Sequence, residues 1–168
     1  LGVLGRTGRG IEEHFGLGPD SYDIKMGTFS KTIPSNGGYL AARADIIDGI
    51  KHNGRGFIYS ASLPPAQTAA ALAALGVLEN EPWRVRALHH NVARFSDGLR
   101  RRGLDLRESE TAVVPVVCGD DETAFAVAAD CQTRGVFVHA IPAPVVPRGT
   151  ARLRCIVTAD HAAGDLEQ

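Results

Sequence analysis

Hydrophobic and polar positions along this chain follow two rhythms, and the change between them marks out its elements. From Trp83 onward, Val85, Leu88, Val92, Phe95 and Leu99 recur at spacings of three and four. That is the apolar stripe of one long amphipathic helix. Arg100, Arg101 and Arg102 suit its negative C-terminal end, and Gly103 is a natural stop. Upstream, Ala44 to His52 carries Ile46, Ile47 and Ile50 on one side of a shorter helix. Ala66 to Leu78 is an Ala-rich helix opened by Pro65, and its small side chains predict close packing in a buried place. The shorter rhythm predicts strands at Tyr22–Met26, Gly38–Ala42, Phe57–Ser60, Val113–Val117, Val136–Val138 and Arg152–Val157. Pro115 lacks the N–H of a ladder donor, so the strand at 113–117 belongs at a sheet edge. A helix runs from Asp120-Asp121-Glu122 to Gly135, the three prolines between Ile141 and Pro147 make an extended loop, and a last helix begins near Thr158–Asp160. The first twenty residues hold six glycines and read as loop, with one helical turn at Ile11–Phe15.

The pattern is α/β throughout. It divides into a first piece over 1–78 and a second over 79–168, the second a strand-helix-strand-strand module behind the long helix. The chain opens on Leu1 and closes on Gln168, each in what reads as the middle of an element, so a part of a longer polypeptide is expected.

Composition changes this picture little. The chain is 44% hydrophobic and 22% charged with formal net charge −1, which gives no argument for nucleic acid or an anionic membrane. Cys118, Cys131 and Cys155 lack CxxC spacing and read as small apolar fillers in a reducing compartment, which points to the cytoplasm. His89 and His90 are adjacent on a helix and point about 100° apart, a poor chelate.

The lysines change it more. There are fifteen arginines and only three lysines, Lys25, Lys31 and Lys51. Arg cannot replace Lys where an amine must lose its proton and attack a carbonyl. Lys31 follows Gly27-Thr28-Phe29-Ser30 and precedes Gly37-Gly38, a setting suited to a Schiff-base lysine, whereas a lone lysine is otherwise a solvated surface residue. On the last strand, Arg152, Arg154 and Ile156 share one face, with Arg148 close by in sequence.

Four segments stand in order: Leu1-Gly2-Val3-Leu4-Gly5-Arg6-Thr7-Gly8-Arg9-Gly10, Gly27-Thr28-Phe29-Ser30-Lys31, Phe57-Ile58-Tyr59-Ser60-Ala61-Ser62-Leu63-Pro64-Pro65, and Val146-Pro147-Arg148-Gly149-Thr150-Ala151-Arg152-Leu153-Arg154. Together they resemble the α-oxoamine synthases over nearly the whole chain. The resemblance implies the fold-type-I architecture of pyridoxal phosphate (PLP) enzymes, like the aspartate aminotransferases. Residues 1–78 would be the end of the large PLP-binding domain, and 79–168 the small C-terminal domain, truncated at its end. It implies Lys31 as the residue that binds PLP covalently and later acts as base, and Thr28 as a ligand of the PLP phosphate. Ser60 would reach the phosphate in the partner subunit of a homodimer, and Arg154 would pair with the amino-acid substrate's carboxylate. Ala61 departs from the family pattern and removes one hydroxyl from the cross-subunit contact. Arg152 is expected to be a surface ion pair. The implied reaction joins an amino acid to an acyl thioester, acyl-CoA or an acyl carrier protein, with loss of carbon dioxide, giving an α-amino ketone. The family's Asp for the pyridine nitrogen lies upstream of Leu1, so the isolated chain is expected to be inactive. The competing readings are an aminotransferase or aldolase of the same fold, or a non-catalytic truncated subunit.

Overall fold

In the computed structural model, which describes all 168 residues, the chain divides into two units, Leu1–Val85 and Arg86–Gln168. The first opens with a glycine-rich loop and the short helix α1 (Ile11–Phe15). The hairpin of β1 (Ile24–Ser30) and β2 (Pro34–Ala42) follows, then α2 (Ala44–Asn53), α3 (Arg55–Ile58) and α4 (Pro65–Asn80). Helix α5 (Trp83–Arg101) runs across the division point. The second unit continues with β3 (Val113–Gly119), α6 (Asp121–Thr133), β4 (His139–Ile141) and β5 (Ala151–Ile156).

The strands β1 and β2 are antiparallel, with Ile24 opposite Ala42, Thr28 opposite Gly38 and Ser30 opposite Pro34, and an irregularity between Thr28 and Ser30. The ladder therefore takes in Gly27 to Ser30, beyond the expected strand end at Met26, and the turn itself falls on Lys31 to Ile33. Ile33 is almost fully buried and pins the turn to the unit. Gly38 sits against the opposite strand: a Cβ there would lie 2.6 Å from the Gly27 carbonyl oxygen. Gly37 has φ +86° and packs on Leu63, a conformation and a contact that no larger residue takes without strain.

In the second unit β5 is the central strand of a three-stranded antiparallel sheet in the order β3-β5-β4. Pro115 lies on an edge strand, where its missing N–H leaves no ladder bond unmade. One face of the sheet is the core: Val114, Val116, Leu153 and Cys155 are buried with Leu106 and Val157. Val92, Phe95 and Leu99 of the α5 stripe and Ala128 of α6 pack against them. Asp120 caps α6, its Oδ1 accepting from the Thr123 N–H at 2.8 Å and its Oδ2 from the Thr123 hydroxyl at 2.9 Å.

Four expected features differ. Residues 57–60 are not a strand. The N–H groups of Phe57, Ile58 and Tyr59 donate to the carbonyls of Gly54 and Arg55, closing α3 locally, and β-type side chains without a partner strand do not make a ladder. The strand expected at 136–138 begins at His139 instead, because the Val136 N–H is spent on the Cys131 carbonyl in the C-terminal turn of α6, through Gly135 at φ +85°. The expected last helix is a series of turns. The carbonyls of Thr158 and His161 are taken by the Asn91 side-chain amide at 3.0 Å each, and the Thr158 N–H donates to His161 Nδ1 at 3.2 Å. Finally, α4 is not enclosed: Ala71 is buried but Leu72 is 70% exposed.

Candidate active site

The end of β1 gathers the first group of candidate site residues. Thr28 and Ser30 stand on the same, outward face of the strand. Their hydroxyl oxygens are 2.9 Å apart, and the Ser30 N–H donates to Thr28 Oγ1 at 3.2 Å. Lys31 follows directly, its amine 3.4 Å from Ser30 Oγ and 3.5 Å from the Ser30 carbonyl oxygen. An open hollow of about 310 Å³ borders Ser30, lined by Pro34, Ser35, Asn36 and Gln67. The Ser35 hydroxyl donates to the Gln67 carbonyl at 2.7 Å and ties β2 to α4. Phe29 points the other way and stacks on Tyr39 at 5.6 Å between ring centres. The site thus offers an amine and two hydroxyls on an exposed strand end.

Lys25, the other lysine of β1, is engaged elsewhere. Its amine lies 2.8 Å from Glu12 Oε1 and donates to the Pro19 carbonyl at 2.6 Å. Lys51 is exposed on α2.

The glycine-rich loop beside the hairpin is organised by one carboxylate. Glu13 accepts from the Thr7 N–H at 3.0 and 3.1 Å, from the Thr7 hydroxyl at 2.9 Å and from the Arg9 N–H at 3.1 Å. Desolvation opposes the Glu13 charge, but these donors outweigh it and hold the carboxyl below its ordinary pKa.

The second group lies in the other unit, on the outer face of its sheet. Arg154 is central there, opposite Pro115 on one neighbour and His139 on the other. It is exposed, and its guanidinium makes no hydrogen bond or ion pair. Arg152 is held: its Nε donates to the Thr150 carbonyl at 3.0 Å and its Nη2 to the Thr150 hydroxyl at 3.1 Å. The expected surface ion pair of Arg152 is therefore a pair of hydrogen bonds to Thr150. Both arginines line an open pocket of about 480 Å³ with apolar walls from Val113, Pro115, Ile141 and Val145. Arg107 also borders it, but is paired with Asp105 at 3.5 Å. The unengaged cation of that pocket is Arg154.

Ser60 is exposed in the bend after α3, and its hydroxyl has no partner in the chain. The sequence reasoning missed Ser30, Glu13 and Thr150. Ser30 was recoverable, because residues two apart on a strand share a face. The other two act through backbone groups and hydroxyls that spacing does not reveal.

This chain belongs to the aminotransferase class I and II family, whose model matches residues 2–168. Within it the similar proteins are α-oxoamine synthases. An 8-amino-7-oxononanoate synthase from Bacillus velezensis is 45% identical over 99% of this chain and 42% of its own length. Serine palmitoyltransferase from Sphingomonas wittichii superposes with TM-score 0.92 at 29% identity, over all of this chain and 42% of that one. A high-resolution structure of SPT with a PLP internal aldimine matches with TM-score 0.92 at 30% identity, over 99% and 42%. The fold is that of the fold-type-I PLP enzymes. The chain spans about 42% of the length of the curated relatives it matches. No helix is long and apolar enough to cross a membrane.

Proposed function

We propose that this chain is part of a PLP-dependent acyltransferase that condenses an amino acid with an acyl thioester, with loss of carbon dioxide, to give an α-amino ketone. The observation that carries the reading is the strand end where Lys31 follows two paired hydroxyls, in a chain whose similar proteins are α-oxoamine synthases. PLP presents a phosphate and an aldehyde. Two hydroxyls within 2.9 Å of one another and a primary amine beside them are the chemistry such a group requires. Of the remaining lysines, Lys25 is held by Glu12.

When bound, PLP supplies an electron sink for the α-carbon of the amino acid. Lys31 would hold PLP covalently, and its amine, when free, would take the α-proton of the amino acid. Thr28 orients the phosphate, with Ser30 fixing the Thr28 hydroxyl. Arg154 holds the substrate carboxylate with its planar fork, and the apolar walls beside it shed water from that contact. Ser60 reaches the cofactor of the partner subunit in a homodimer, and Ala61 adds nothing there. Residues 1–78 belong to the large PLP-binding domain and 79–168 to the small C-terminal one. The acyl donor is an acyl-CoA or a carrier-bound acyl group. Three free thiols suit a cytoplasmic enzyme.

Borohydride reduction of the full-length protein with PLP, followed by peptide mapping, tests the assignment. A pyridoxyl label is expected on Lys31. A label on Lys25 or Lys51 with Lys31 bare would overturn it. Release of carbon dioxide with a ketone product, and not transamination, is the expected turnover.

A further inference from the structure

We propose that α1 is a two-sided brace for Lys31, with Glu12 fixing the strand that leads into the lysine and Glu13 fixing the loop that backs the residue after it. The proposal rests on Lys31 as the reactive amine, and it assigns Glu12 and Glu13 as positioning residues.

Lys31 needs such support. Its amine has only the two long contacts to Ser30, at 3.4 and 3.5 Å, so the backbone on either side decides where it stands. Consecutive helical residues point about 100° apart, which lets Glu12 and Glu13 serve two different elements. Glu12 faces β1. Its Oε1 is buried and has no partner besides Lys25, whose amine is 2.8 Å away. Lys25 lies in β1 itself and also donates to the Pro19 carbonyl at 2.6 Å, so the strand is tied to α1 and to the segment behind it.

Glu13 faces the glycine loop. Its carboxylate collects the N–H groups of Thr7 and Arg9 and the Thr7 hydroxyl. Gly5 presses against it so closely that a Cβ would lie 2.3 Å from Oε2. The loop closes on itself through Gly2 N–H to Gly8 carbonyl at 2.7 Å and Gly10 N–H to Leu4 carbonyl at 2.9 Å. Gly2, thus held, lies against Thr32: a Cβ there would stand 2.2 Å from Thr32 Cγ2. Thr32 is the residue after Lys31. The contact chain runs from Glu13 through the loop to the far side of the lysine, while Glu12 holds the near side.

The test uses the full-length protein and two readouts. In the cofactor-free form, acylation of Lys31 is followed by mass spectrometry against exposed Lys51 as internal reference. In the PLP-loaded form, the pH midpoint of the visible band is measured. Glu13→Gln and Lys25→Met are expected to change the Lys31-to-Lys51 labelling ratio by about threefold or more, the scale of one weakened hydrogen bond. Both should shift the pH midpoint and lower kcat more than they raise KM. Lys25→Arg, which preserves the ion pair with Glu12, should retain the wild-type ratio. Unchanged ratio and midpoint in folded Glu13→Gln and Lys25→Met proteins would overturn the brace, even with a lowered melting temperature. If Glu13→Gln does not fold, the Lys25 pair of variants decides alone. Absence of a borohydride label on wild-type Lys31 would sink the functional reading instead, and the labelling ratio, which needs no PLP, would still judge the brace.

Discussion

The sharpest prediction separates two arginines that stand on one face of one strand. Arg154→Ala in the full-length enzyme removes an exposed, unengaged guanidinium. Hydrogen bonds to charged groups contribute about 1.5–3 kcal/mol each, and partial exposure weakens a carboxylate pair through solvent screening, so about 2–4 kcal/mol is the expected loss. At about 1.4 kcal/mol per decade that is roughly a 30- to 700-fold rise in the KM for the amino acid. The KM for the thioester should move little. Arg152→Ala removes two hydrogen bonds to Thr150, whose carbonyl and hydroxyl can turn to water, so about 1 kcal/mol or roughly fivefold is expected, on both substrates alike. Arg154→Lys keeps the charge but loses the fork, and should fall between wild type and alanine. Steady-state kinetics with each substrate varied in turn is the assay. If Arg152→Ala proves the more damaging change, or Arg154→Ala affects both substrates equally, the assignment of Arg154 to the carboxylate is wrong.

Two further outcomes are expected. Gly38→Ala drives a Cβ to 2.6 Å from the Gly27 carbonyl, a backbone atom that cannot swing aside. Spreading the hairpin should destabilise the protein by about 1–3 kcal/mol and weaken PLP retention, read by thermal melting and by cofactor loss on dialysis. Preserved melting and retention would show that the hairpin yields more easily than its packing suggests. Burial raises the Cys155 thiol from 9.0 to about 11, with Cys131 and Cys118 adding to it. The folded state then holds its proton where the unfolded state has lost it, so this contribution to stability is intact below pH 9 and lost as pH rises from 9 to about 11. Denaturant midpoints of wild type minus Cys155→Ala should fall across that window, and a flat difference would refute the shift.

Much of the second unit was legible because its signals are local or periodic. The α5 stripe, the Asp120 cap, the edge position of Pro115 and the shared face of Arg152 and Arg154 each follow from spacing or from one residue's chemistry. The strand and helix failures each have a backbone bond that outbid composition: a local one in α3 and in the last turn of α6, and a non-local one after Thr158. Phe57-Ile58-Tyr59-Ser60 has strand composition but no strand to pair with. The segment after Thr158 has a helix-start composition, yet its carbonyls are claimed by Asn91, far away in sequence. Asn91 itself gave a clue, since it lies three residues after Leu88 on the α5 stripe, and a polar residue in an apolar row asks for partners. At the site, Lys31 and Thr28 were marked by a motif, while the work of Glu13 was not, because it bonds to backbone groups that any residue provides. Nor could spacing say which arginine is engaged; that depends on the Thr150 hydroxyl.

The alternation along β5 has an evolutionary consequence. Ala151, Leu153 and Cys155 face the core, while Arg152, Arg154 and Ile156 face outward. Packing and surface chemistry therefore fall on interleaved residues of a single six-residue segment. Related sequences can change the chemistry of the outward positions 152, 154 and 156 while 151, 153 and 155 stay under packing constraint. Insertion or loss of one residue in this segment is the change that lineage cannot tolerate, since it would turn arginines into the core and leucine into water at once.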